Sequence, residues 1–170
     1  GAVALLTKPG QSNLEERVAG YKKALAECPE ITVVQVADTQ SKPTVAAQAA
    51  SALMQKYPDL AGIACVEAAG GTGAATAVRE AGKSGKVRIL AMDRGNEVLQ
   101  LIKEGVISAT VVQQTALMPL YATQILYNLK NNPAPITSDN AQAGVTGAPT
   151  VVDTGVIIVD DKNCQFFMRK

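Results

Sequence analysis

The order of patterns along the chain predicts an α/β fold, a parallel sheet with helices on both faces. Three observations predict it. Apolar runs of strand length alternate strictly with helical patterns as far as Gln113, an order that favours parallel strands joined by crossover helices. Two of those runs, Ala2 to Leu6 and Leu60 to Val66, carry no polar side chain at all, the pattern of strands covered on both sides. With 170 residues, 47% of them hydrophobic, the chain can fill one well-packed core.

Ala2 to Leu6 is the first apolar run, and Thr7-Lys8-Pro9-Gly10-Gln11-Ser12-Asn13 is a loop by composition. A helix starts from Ser12 or Asn13. Leu14, Val18, Tyr21 and Leu25 recur at helical spacing, Glu15 and Glu16 sit in the first turn where the dipole favours them, and Cys28-Pro29 stops it. Ile31 to Val36 is β-branched enough for a second strand, and the next helix is entered near Pro43 with Val45, Ala49, Leu53 and Met54 on its buried side. Leu60 to Val66 is a third strand. Glu67 to Gly73 reads as a small-residue loop that opens an alanine-rich helix to Ala81.

Val87 to Met92 is the fourth strand, stopping abruptly at Asp93-Arg94-Gly95, and Glu97 to Lys103 is a helix closed by Gly105. Ser108 to Val112 is the fifth strand and ends at Gln113-Gln114. There the regularity breaks. Leu117 to Leu129 is helical with Tyr121, Ile125 and Leu129 on one stripe, Asn131 to Pro149 is a long polar connection, and Val156 to Val159 is a last strand.

Composition removes several function classes. A net charge of +1 with dispersed acids and bases implies neither nucleic acid nor an anionic membrane as partner. No apolar run could span a bilayer, and no signal peptide precedes the first strand, so the chain is either cytoplasmic or lacks its beginning. There is no histidine, and Cys28, Cys65 and Cys164 have no metal-ligand spacing, so no metal, cofactor or catalytic residue is expected. The three cysteines read as structural, with a Cys28 to Cys164 bridge left open. Gly70-Gly71-Thr72-Gly73 suggests a nucleotide-dependent Rossmann-type enzyme only weakly, because a fingerprint would need a small residue where Thr76 stands. These glycines read instead as close helix-to-strand packing.

Right-handed crossovers put every strand-to-helix loop on one edge of a parallel sheet. Arg17, Glu67, Asp93 and Gln113 all fall just past a strand or at the start of the following helix, hence on that edge. Taken singly, each is a loop-end polar residue, and Asp93 could cap the next helix. Together they offer a guanidinium fork, carboxylates and an amide, chemistry suited to neighbouring hydroxyls of a polyhydroxylated ligand.

Arg17-Val18-Ala19-Gly20-Tyr21, Ala81-Gly82-Lys83-Ser84, Met92-Asp93 and Ser108-Ala109-Thr110-Val111-Val112-Gln113 carry a resemblance. In their order and spacing the chain resembles the ribose- and galactose-type periplasmic sugar-binding proteins, the solute-binding components of ABC-type importers and relatives of the effector domains of lactose-repressor-type regulators. The resemblance covers the whole chain, but only the C-terminal half or slightly more of such a protein. It implies two Rossmann-like lobes that close on a monosaccharide or polyol. Residues 1–113 would be the C-terminal ligand-binding lobe, 114–150 the hinge crossing with a helix and strand of the other lobe, and 151–170 the return and tail. Arg17 looks like the family's sugar-binding arginine, Asp93 like its hydroxyl-binding aspartate and Gln113 like the glutamine near the hinge. Glu67 stands where ribose-type members usually carry asparagine, and Thr39 where some carry an aromatic; both are counted with Arg17, Asp93 and Gln113 as the expected ligand-binding residues.

A periplasmic or extracellular location and a membrane permease as partner follow from the same resemblance. The alternative role is a sugar-sensing effector or chemoreceptor domain of the same fold. Half of such a trap is expected to bind well short of the micromolar level, which corresponds to about −8 kcal/mol. Helix Leu117 to Leu129 would expose an apolar face unless another chain covers it, and a homodimer is one way to do so.

Overall fold

The computed structural model describes residues 1–169. By its internal contacts the chain divides into two units, Gly1–Val112 with Ile158 onward, and Gln113–Ile157.

The first unit is built on a sheet of six strands in the order β2-β1-β3-β4-β5-β6, comprising β1 (Ala2–Thr7), β2 (Thr32–Asp38), β3 (Leu60–Cys65), β4 (Arg88–Met92), β5 (Ala109–Gln113) and β6 (Val156–Val159). The pairs β1/β2, β1/β3, β3/β4 and β4/β5 are all parallel. Consequently the C-terminal ends of five neighbouring strands share one edge, as the alternation predicts. The helices are α1 (Ser12–Leu25), α2 (Pro43–Lys56), α3 (Ala68–Glu80) and α4 (Asn96–Lys103), and a 3-10 turn, Cys164–Phe166, lies near the C-terminus.

Successive side chains of a strand point to opposite faces, and β3 shows what each face meets. Ala64 and the following Val66 pack with Leu14 and Val18 of α1, whereas Cys65 faces Gly70 of α3. Helices therefore cover both faces, and Leu5, Leu6, Ile63 and Ile89 are wholly buried between them.

Two expectations about helices are corrected. Residues 68–73 are not a loop. α3 begins at Ala68 because Glu67 caps it, its carboxylate accepting from Ala69 N at 2.9 Å, and the glycines lie in the first two turns. Gly70 and Gly71 do make the expected close helix-to-strand approach, since a Cβ at either would stand 2.9 Å from Cys65 Cβ or 2.7 Å from Ala91 Cβ. Gly73 instead lies against α2, where a Cβ would come within 2.4 Å of Pro43 O and 2.5 Å of Ala46 Cβ. That contact explains the second correction: α2 buries Ala46, Ala50, Leu53 and Met54, one residue out of phase with Val45 and Ala49. The smallest side chains face α3 because only they admit its glycine surface. The three cysteines are all free, so the Cys28 to Cys164 bridge is absent.

In the second unit, α5 (Leu117–Asn131) has no buried residue. Leu126 and Tyr127 are 67% and 59% exposed. Asn140 organises the connection that follows, its Oδ1 accepting from Thr137 N at 2.9 Å and its Nδ2 donating to Ala134 O at 2.7 Å. Gln114 Nε2 donates to Thr154 O at 2.6 Å, tying the outgoing segment to the returning one.

Candidate functional site

The buried polar side chains of the described residues are three threonines, Thr7, Thr39 and Thr110. Two of them donate to groups at the ends of the strands. Interior polarity is thus concentrated toward the edge where the loops carry charged groups, and buried polar groups are costly unless partnered.

Arg17 lies in the second turn of α1 and is half-buried. Its Nη1 donates to Val66 O at 2.8 Å, which fixes the guanidinium beside the end of β3 and leaves its remaining N–H groups without a bond to another described residue. Glu67 follows directly. One carboxylate oxygen accepts from Thr39 Oγ1 at 2.8 Å and the other from Ala69 N at 2.9 Å.

Thr39 is 0% exposed and sits where β2 gives way to α2. Its hydroxyl lies 2.8 Å from Glu67 Oε1 and 3.2 Å from Thr7 O. A hydroxyl has one proton to give. The carboxylate takes it, because Thr7 O already accepts from Thr39 N at 2.8 Å. Gln40 and Ser41, which follow, both have φ of 52, and Ser41 N donates back to Thr39 Oγ1 at 3.1 Å. The structure brings Arg17, Glu67 and Thr39 together across the ends of β1, β2 and β3.

Asp93 follows directly on β4 with φ of 71, in the left-handed region, which costs an L-residue about 1–2 kcal/mol. Asp tolerates it better than most, but it persists only where the surroundings over-determine it. Asp93 does not cap the next helix: the N-cap of α4 is Gly95, with no side-chain bond. No hydrogen bond from another described residue reaches its carboxylate, so the group is free to accept. Gln113 closes β5, half-buried, and by its contacts opens the second unit. It is placed by its strand alone.

Sequence reasoning missed Thr110 and Gln114. Thr110 is the one fully buried polar residue of β5, and a threonine between the apolar neighbours Ala109 and Val111 was the available signal. Among the described residues no group of histidine, cysteine or acidic side chains could hold a metal ion, and no helix is long and apolar enough to cross a membrane.

A family model described as periplasmic binding protein domain matches residues 1–133. Among solved structures, an arabinose-binding protein from Geobacillus stearothermophilus superposes with a TM-score of 0.89 at 35% identity, covering 99% of this chain and 57% of that one. An ABC-transporter sugar-binding protein from Bacillus halodurans does so with a TM-score of 0.88, also at 35% identity, over 99% of this chain and 57% of that one. The D-allose-binding periplasmic protein of Escherichia coli K12 is 30% identical over 117 residues, 68% of this chain and 38% of that protein. The chain therefore spans well under two thirds of the length of these relatives.

Proposed function

The chain belongs to the periplasmic binding protein domain family, and we propose that its first unit is the ligand-holding lobe of a sugar-binding component that serves an ABC-type importer. Arg17, Asp93 and Gln113 contact hydroxyls of a monosaccharide or polyol, with Glu67 beside them and Thr39 behind Glu67. As the family resemblance divides the chain, residues 1–113 form that lobe, 114–150 the crossing to the other lobe and 151–170 the return and tail. It works outside the cytoplasmic membrane, with a permease as its partner, and catalyses nothing.

One observation carries this reading: at the end of β4, in a chain that superposes on sugar-binding proteins over 99% of its length, Asp93 has a conformationally costly backbone and a carboxylate to which no other described residue donates. A free carboxylate on a rigid strand end is a hydroxyl acceptor, and a bond to a charged group contributes about 1.5–3 kcal/mol. Arg17 adds donors already oriented by Val66 O. A guanidinium already held by a backbone carbonyl loses little further freedom when it takes up a hydroxyl, so less of the binding energy goes to ordering that side chain.

The test is a protein-observed NMR titration of this chain with D-allose, D-arabinose, D-ribose and a linear polyol, since that readout detects weak binding. Shifts should concentrate at residues 67–69 and 93–95. Asp93→Asn, which tolerates the left-handed backbone but removes the charge, should weaken binding by about tenfold or more with an unchanged melting temperature. Absence of shifts with every sugar and the polyol would sink the reading. A Glu67→Gln chain that binds unchanged would remove Glu67 from the contacts.

A further inference from the structure

Both backbone polar groups of Asp93 are held by a single strand. Asp93 N donates to Val111 O at 2.9 Å, and Thr110 Oγ1 donates to Asp93 O at 2.7 Å. The first bond continues the β4/β5 ladder by one residue beyond Met92, whose partner is Val111. The second is a side-chain bond that the ladder does not require, and it closes on a residue whose φ of 71 lies in the left-handed region.

Thr110 is 0% exposed. At such a position valine would fill the same space and leave no hydroxyl to satisfy, so the polar side chain is a burden unless its one proton has a buried acceptor. Asp93 O is that acceptor. With its carbonyl taken by Thr110 and its N–H by Val111, the peptide units on either side of Asp93 are fixed in direction. The Cα–Cβ bond between them is therefore fixed too, which confines the carboxylate to the few positions its χ1 rotamers reach from that bond.

We infer that Thr110 is a positioning residue for the ligand-binding site: its buried hydroxyl holds Asp93 in the left-handed conformation that presents the carboxylate. This rests on the reading of Asp93 as a sugar contact. Thr110 itself touches no ligand. Its contribution is preorganisation, which appears in affinity because an aspartate free to relax must be ordered again on binding.

Thr110→Val and Thr110→Ser are compared with the unaltered chain by two NMR readouts, titration with D-allose and D-arabinose and amide hydrogen exchange at Asp93. Thr110→Val should bind about tenfold more weakly and exchange the Asp93 amide faster, while exchange at Ile63 and Ile89 in the core stays unchanged. Thr110→Ser, which keeps the hydroxyl, should restore both. Equal affinity in Thr110→Val, or an unchanged Asp93 exchange rate, overturns the inference while leaving sugar binding intact. If the unaltered chain binds neither sugar, the functional reading fails separately, and Asp93 exchange alone decides whether Thr110 holds that backbone. Should Thr110→Val not fold, Thr110→Cys, a weak donor of similar size, carries the same comparison.

Discussion

At Tyr21 burial and hydrogen bonding disagree, as they do at the Thr7 hydroxyl. Its ring packs against the Leu5, Leu14, Val18 and Val66 cluster under α1, but its hydroxyl is buried with no hydrogen-bond partner among the described residues. Burial disfavours the phenolate, with a smaller contribution in the same direction from the Cys65 thiol, and Arg17 only partly offsets this; the pKa is pushed from 10.0 up to about 12. A raised folded value means the unfolded chain releases the proton first. The stability tied to neutral Tyr21 is therefore complete below pH 10 and is lost as the pH rises toward about 12. Tyr21→Phe should leave the melting temperature at pH 7 unchanged or slightly higher, since it deletes an unsatisfied hydroxyl worth about 1 kcal/mol or less. It should also shrink the fall in melting temperature between pH 9 and pH 11, roughly the onset of tyrosine ionisation. A variant that melts much earlier at pH 7 would show that the hydroxyl has a stabilising partner.

At the scale of elements, α3 is the helix on which the sheet edge depends. Its N-terminus is set by Glu67, a residue of the candidate site, and its first turns lie close against β3, β4 and α2 through Gly70, Gly71 and Gly73. At Gly73 the nearest obstacle to a side chain is backbone, Pro43 O, so α2 would have to move as a whole. Gly73→Ala should accordingly destabilise the chain by about 1–3 kcal/mol, despite alanine's better helix propensity. Denaturant unfolding measures this directly; a Gly73→Ala chain as stable as the original would mean that the α2–α3 contact yields easily. Gly20, on α1, has nothing within 4 Å of the added Cβ. The same substitution there should stabilise by roughly 0.5–1 kcal/mol, an internal control for propensity against packing.

For the whole molecule the open question is what lies over α5. Leu120, Leu126 and Tyr127 are each more than half exposed, and Met118, Tyr121, Ile125 and Val152 line a groove of about 370 Å³ within the second unit. Exposed apolar surface of this kind tends to mark an interface. On the proposal that a second copy covers it, light scattering should give a dimer. Leu126→Lys with Tyr127→Lys should return it to a monomer without changing the melting behaviour of the first unit. A monomer at high concentration in the unaltered chain would end the homodimer reading and leave the face to a different partner.

Alternating apolar runs and helical patterns determined the parallel sheet, its common edge and the ends on which Glu67, Asp93 and Gln113 stand, because period and punctuation are local properties that survive without the partner elements. The helical state of residues 68–73 was not legible, since glycine weakens a helix locally and only Cys65, Ala91 and α2 reward it here. Nor was the buried face of α2, whose apolar residues permit two phases one position apart until the glycine surface of α3 selects the smaller side chains. Residue identity marked Asp93 as a candidate. Its left-handed backbone and the hold of Thr110, 17 residues away, were decided by tertiary structure alone, because a hydrogen bond between neighbouring strands leaves no local pattern in either of them.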